Sequence, residues 1–149
     1  MKSVESKLES LGFKLEAPKP PVANYLGTKQ VRDLLFVSGR KSELTGKVGE
    51  DVTEEQAKIA ARDTVILLLS IVKNDIQDLD KIEGIVKVQG FINASEKFDR
   101  LPQVLDGASD ILIELFGKNG HHARTATGIN KLPYGATIQL DMILNLKSQ

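Results

Sequence analysis

The sequence predicts an α+β domain: one mixed β-sheet with two long amphipathic helices on one of its faces. Three observations predict it. Two stretches, around residues 57–72 and 104–116, repeat apolar side chains at helical spacing. Strand-like segments lie before, between and after them, in the order strand–strand–helix–strand–helix–strand–strand. The 149 residues carry 41% apolar and 27% charged side chains, which suits one domain able to bury a core.

Residues 1–21 read as a short helix and a Pro-rich linker, and residues 22–149 as the main domain. Ser3 can cap the first helix, Val4, Leu8 and Leu11 share a face, and Gly12 can stop it. Ala17-Pro18-Lys19-Pro20-Pro21 is stiff and non-helical. From Val22 to Ser38 the pattern is a strand through Asn24-Tyr25-Leu26-Gly27-Thr28, a polar turn around Lys29 to Asp33, and a second strand. Leu34-Leu35-Phe36-Val37 is apolar throughout, as in a strand buried on both faces, and Ser38-Gly39 ends it. Arg40 to Asp51, with Gly46 and Gly49, reads as a charged loop.

Thr53-Glu54-Glu55-Gln56 is a capping box, and the apolar stripe behind it makes the first long helix. Asp75 to Asp80 is a polar loop, and Ile82 to Ile92 a strand. Pro102 suits the first turn of the second long helix, which Gly117 and Gly120 end. Arg124 to Ile129 is a strand and Leu132-Pro133-Tyr134-Gly135 a turn. In the last strand Ile138, Leu140, Met142, Leu144 and Leu146 alternate strictly. Two helices cover only one face of the sheet, yet residues 34–37 and 85–88 are apolar on both. The second face therefore calls for an oligomer whose sheets pack together, or for the N-terminal helix and long loop to lie over it.

Composition limits the chemistry. Lys plus Arg is 20 and Asp plus Glu is 20, so there is no basic surplus for nucleic acid. There is no Cys, which removes thiolate metal sites and Cys nucleophiles. No apolar signal core or membrane span is present, which makes the cytoplasm the default. No phosphate-loop, dinucleotide or nucleophile-elbow motif occurs, and no cofactor is called for. The two His residues are adjacent, His121 and His122, and neighbours in an extended segment point apart. One is expected to hydrogen-bond at the helix–strand junction while the other meets solvent, with no metal site.

Arg124 opens a strand of small residues, where a half-buried guanidinium needs a carboxylate partner, internal or from a ligand. If the last two strands form a hairpin about Leu132-Pro133, equal offsets bring Arg124 beside Asp141. A cross-strand ion pair and a ligand anchor are both compatible with that.

His121-His122-Ala123-Arg124-Thr125-Ala126, then Leu132-Pro133, then Thr137 to Asp141, resembles the reactive-intermediate deaminase (Rid or YjgF) family, also labelled endoribonuclease L-PSP. Leu35-Phe36-Val37-Ser38-Gly39, Gly46-Lys47-Val48-Gly49 and Gly107-Ala108-Ser109-Asp110 fit it too. The resemblance covers roughly residue 20 to the end and is closest to a longer branch with an N-terminal helix. It implies a chorismate-mutase-like fold, a homotrimer with sheets packed at its centre, and ligand clefts between subunits. Its implied site is Arg124 gripping a substrate carboxylate, Asp141 orienting a water, and Tyr25, Ser38, Gly39 and Ala126 lining the cleft. The implied reaction is hydrolysis of a 2-aminoacrylate-type enamine or imine to a 2-keto acid and ammonia. A binding module for 2-keto or amino acids on the same scaffold is the alternative. Asp141 stands where the family has Glu, Arg40 where it has Gln, and Ser109 lies near the family's helical Asn.

Overall fold

The computed structural model describes residues 2–21 and 23–149; Met1 and the domain start read at Val22 lie outside the described residues. Helix α1 (Val4–Ser10) begins at Ser3, whose hydroxyl oxygen accepts from the Ser6 amide. Strands β1 (Thr28–Val31) and β2 (Leu34–Lys41) form a hairpin, which corrects the turn read over Lys29 to Asp33: Lys29 and Gln30 are polar because β1 is an edge strand, and the turn is only Arg32-Asp33, with Arg32 at φ 54°. Helix α2 (Glu54–Ile76) starts at the predicted capping box. Gln56 N–H donates to Thr53 Oγ1 at 3.1 Å, and Thr53 N–H to Gln56 Oε1 at 2.9 Å. Strand β3 (Ile82–Asn93), helix α3 (Leu101–Phe116), strand β4 (Ala123–Ile129) and strand β5 (Ile138–Leu146) complete the order the sequence predicts.

The five strands form one sheet in the order β1-β2-β5-β3-β4. All neighbours are antiparallel except β3 and β4, which run parallel with α3 as the connection, so the sheet is mixed. The alternating apolar residues of β5 face α2 and α3 and are buried, as are Leu35, Val37, Val88 and Ile92 on the same side. Hydrophobic burial between this face and the two helices is the main source of stability.

Two further expectations are corrected. The last two strands are not a hairpin: β5 lies between β2 and β3, and β4 bonds β3 alone. The chemistry of the strands explains this. An apolar strand such as β5 is stabilised by neighbours on both sides, whereas β4, with Arg124, Thr125, Thr127 and Gly128, tolerates an edge. The second correction concerns β2, which continues past Ser38-Gly39. The register shifts between Val37 and Arg40, a bulge that bends the strand without ending it.

The face turned away from the helices stays open. Leu34, Phe36, Val86 and Val31 are 38%, 41%, 40% and 52% exposed, a run of large apolar side chains with no cover. Helix α1 does not supply one. It docks at the far end of the helical layer, where Lys7 Nζ donates to the Leu115 carbonyl at 3.1 Å and the Val4 amide to Asp80 Oδ1 at 2.9 Å. The loop after β2 is also engaged elsewhere, with Val48 and Val52 inside the helix-side core. Among the described residues no helix is long and apolar enough to cross a membrane.

Candidate functional site

Arg124 lies on the edge strand β4 opposite Val88, which places it on the helix-covered side of the sheet. Its guanidinium reaches α3. Nη1 donates to Asp106 Oδ1 at 2.8 Å and to Ser109 Oγ at 3.1 Å, and Nη2 donates to the Pro102 carbonyl at 3.3 Å. Ser109 also contacts His122 Nε2 at 2.9 Å, and His122 Nδ1 lies 2.6 Å from the Gly120 carbonyl oxygen. A carbonyl only accepts, so Nδ1 carries the hydrogen. In the neutral ring Nε2 is then the acceptor, and the Ser109 hydroxyl donates to it. The chain Asp106–Arg124–Ser109–His122 is thus closed, with every member given a partner. His121 is exposed while His122 is half-buried, the division of roles the adjacent pair predicts.

Asp141 is elsewhere. It stands opposite Gln89, the residue after Val88, and so faces the open side of the sheet. It is two strands away from Arg124, roughly 10 Å across the sheet, and on the other face. Its partner is not Arg124. Burial pushes the Asp141 carboxyl above its ordinary value, and the Lys87 ammonium on the same face partly opposes this. Lys87 Nζ itself donates to Thr125 Oγ1 at 2.9 Å.

Tyr25, Ser38 and Gly39 sit at the opposite edge. The Ser38 hydroxyl donates to the Leu26 carbonyl at 2.6 Å, which ties the bulge to the segment carrying Tyr25, a residue 41% exposed. Gly39 lies against the Gln139 side chain. Between β2 and β4 lie three strand spacings, roughly 14 Å. No ligand of a few heavy atoms spans that distance within one chain. Ala126, two residues on from Arg124, faces the same side and packs at the margin of the core opposite Gly90. The six residues therefore form three groups: Arg124 with Ala126, Asp141 on the open face, and Tyr25 with Ser38 and Gly39.

Two grooves in the single chain lie away from all three groups. One of about 810 Å³ is lined by Asp33, Asp75, Asp78 and Lys147 among others, and one of about 490 Å³ by Lys47, Asn130 and Tyr134. The Lys47 ammonium is already engaged, donating to Asn93 Oδ1 and the Asn130 carbonyl. Among the described residues no three His, Cys, Asp or Glu side chains are grouped to hold a metal ion.

Asp106 is the site residue the sequence reading passes over. Its signal is the pair Asp106 and Ser109, three apart on one helix and therefore on one face, beside an otherwise apolar stripe.

A mixed five-stranded sheet with two helices on one face, and a half-buried Arg on its edge strand, defines an α+β protein of the chorismate-mutase-like class. The chain belongs to the family described as "YjgF/chorismate_mutase-like, putative endoribonuclease", whose model matches residues 5–144. It is 33% identical over 152 residues to protein TCP17 of Trypanosoma cruzi, covering 97% of this chain and 95% of that one. Among solved structures it is similar to Atu1372 of Agrobacterium tumefaciens, a protein described as of unknown function. The identity is 33% and the TM-score 0.89, over 97% of this chain and 92% of the other. It is also similar to a protein of Shewanella oneidensis described as a "putative endoribonuclease". There the identity is 26% and the TM-score 0.93, over 97% of this chain and all of the other.

Proposed function

We propose that this protein is a homotrimeric hydrolase of reactive enamine and imine intermediates of the 2-aminoacrylate type, acting in clefts between subunits. The observation that carries the reading is Arg124. It is half-buried on an edge strand, held by α3, and its Nε–H has no partner among the described residues and is not buried. A guanidinium has five N–H donors. Three are in use, so a fork remains for one carboxylate.

In this mechanism Arg124 fixes the substrate carboxylate and so holds the adjacent imine carbon in place; an enamine first becomes that imine by moving an N–H proton to its methylene carbon. Water adds to that carbon and its proton passes to the nitrogen. The resulting carbinolamine expels ammonia and leaves the 2-keto acid. Asp141, Tyr25 and Ser38 complete the cleft from a neighbouring copy, because within one chain Asp141 is on the other face of the sheet from Arg124 and Tyr25 and Ser38 are towards its other edge. The raised proton affinity of Asp141 suits a group that must exchange protons with the attacking water.

A second reading, a binding module for 2-keto or amino acids, is favoured by one specific observation. Asp141 stands in place of the family's Glu and is one methylene shorter, which draws the carboxylate back from any bound ligand.

The test is to generate 2-aminoacrylate from serine with a dehydratase and follow its decay with and without the protein. The expected result is acceleration that Arg124→Ala removes. Retained acceleration in Arg124→Ala overturns the mechanism. Pyruvate binding without acceleration supports the module.

A further inference from the structure

The Arg124 guanidinium is held on two sides and free on the third. Asp106 Oδ1 and Ser109 Oγ both take hydrogen bonds from Nη1, and the Pro102 carbonyl takes one from Nη2. The His122 ring extends the hold: anchored on the Gly120 carbonyl, it receives the Ser109 hydroxyl hydrogen and so turns the Ser109 lone pairs towards Arg124. Nε–H and one Nη2–H have no partner among the described residues.

We propose that Asp106, Ser109 and His122 are positioning residues. They clamp Arg124 by its Nη nitrogens and present its Nε edge, which restricts the ligand to small monocarboxylates bound side-on. The inference rests on the reading of Arg124 as the carboxylate anchor and adds the ligand class to it. The restriction follows from charge as well as geometry. Asp106 and Arg124 together are neutral, so the pair holds one carboxylate by directed hydrogen bonds and has no surplus cation for a second. Asp106 also stands at the site as a fixed negative charge, with 47% of its side chain exposed, where it repels a further anionic group.

The clamp and a simple competitor predict opposite signs for one substitution. If Asp106 only occupied Arg124 in place of a ligand, removing it would tighten anion binding. If Asp106 positions Arg124, removing it weakens binding even though a negative charge is lost.

The experiment titrates the full chain with pyruvate and, separately, 2-oxoglutarate, following the ligand by saturation-transfer NMR. Wild type is expected to prefer pyruvate. Asp106→Ala is expected to weaken pyruvate binding about tenfold, the scale of one hydrogen bond to a charged group. Asp106→Asn, which keeps the acceptor oxygen without the charge, is expected to restore most of the pyruvate affinity and to improve 2-oxoglutarate binding. Tighter pyruvate binding by Asp106→Ala overturns the proposal.

A second measurement needs no ligand. The Arg124 guanidinium nitrogens are expected to give separate, slowly exchanging resonances in wild type, and averaged ones in Ser109→Ala and His122→Ala. Ser109→Thr, which keeps the hydroxyl, is expected to retain the separate signals. Identical spectra for wild type, Ser109→Ala and His122→Ala overturn the clamp. A clamped spectrum with no pyruvate binding overturns instead the carboxylate reading of Arg124 and the ligand class built on it.

Discussion

Asp141 is a carboxylate on the open face whose proton affinity burial raises, with Lys87 pulling the other way. Its folded state therefore binds a proton more readily than its unfolded state. Between the ordinary carboxylate range and the raised folded value, the native chain holds more protons than the unfolded one. Stability falls as pH rises through that window, and above it the charged group remains a fixed cost. Asp141→Asn is accordingly expected to raise the thermal midpoint at pH 7, with the gain shrinking as pH falls towards 4. Melting curves of both chains across that range check it. A less stable Asp141→Asn at pH 7 would show that attraction to Lys87 outweighs burial. The same residue shows what sequence spacing could not supply. Arg124 and Asp141 are equidistant from Leu132-Pro133 in the sequence, but pairing partners are set by which strand needs two neighbours. The correction needed only the contrast between apolar β5 and polar β4, which is present in the sequence. The parallel register of β4 on β3 depends on the α3 crossover, and spacing does not reveal it.

At the scale of elements, both long helices and four of the five strands were legible, because capping and periodicity are local, whereas β1 was hidden by its polar Lys29 and Gln30, which read as a turn. The Thr53 capping box and the β5 alternation are the clearest cases. How the helices pack was not legible, and it turns on Gly107. A Cβ at that position on α3 would collide with the Lys58 carbonyl oxygen on α2. That atom is backbone inside a helix and cannot rotate aside, so the close approach of α2 and α3 requires glycine. Gly107→Ala forces the helices apart, with an overpacking cost of about 2 kcal/mol. For a chain of this size the thermal midpoint should fall by about 4–8 °C, as scanning calorimetry would read. An unchanged midpoint would mean that the two helices have slack the packing does not suggest. The displacement would also reach Asp106 and Ser109, which lie within one turn of Gly107, so carboxylate binding should weaken in the same variant.

For the whole molecule, the decisive fact is the separation of the three groups of family-type residues. Tyr25 and Ser38 lie towards one edge of the sheet, Arg124 at the other, and the open face between them carries exposed apolar side chains (Val31, Leu34, Phe36 and Val86) beside the polar Lys87, Gln89 and Asp141. On the proposed function, a single chain has half a site at each edge, and an oligomer that buries the open faces would join unlike halves. This gives complementation between two inactive proteins. Tyr25→Ala changes an exposed side chain outside the core and spoils one half-site, while Arg124→Ala spoils the other. Each alone should leave imine decay at the uncatalysed rate. After the two are unfolded together, refolded and allowed to assemble at equal concentration, clefts containing Tyr25 from one copy and Arg124 from the next form by chance. In a cyclic trimer with random mixing, roughly one cleft in four has both halves intact, so about a quarter of wild-type activity should return. A mixture that stays inactive, although light scattering and mass spectrometry show mixed oligomers, would place the whole site within one chain. The three separated groups could not then all belong to it, and Arg124 with its α3 partners would have to act without Tyr25 and Ser38.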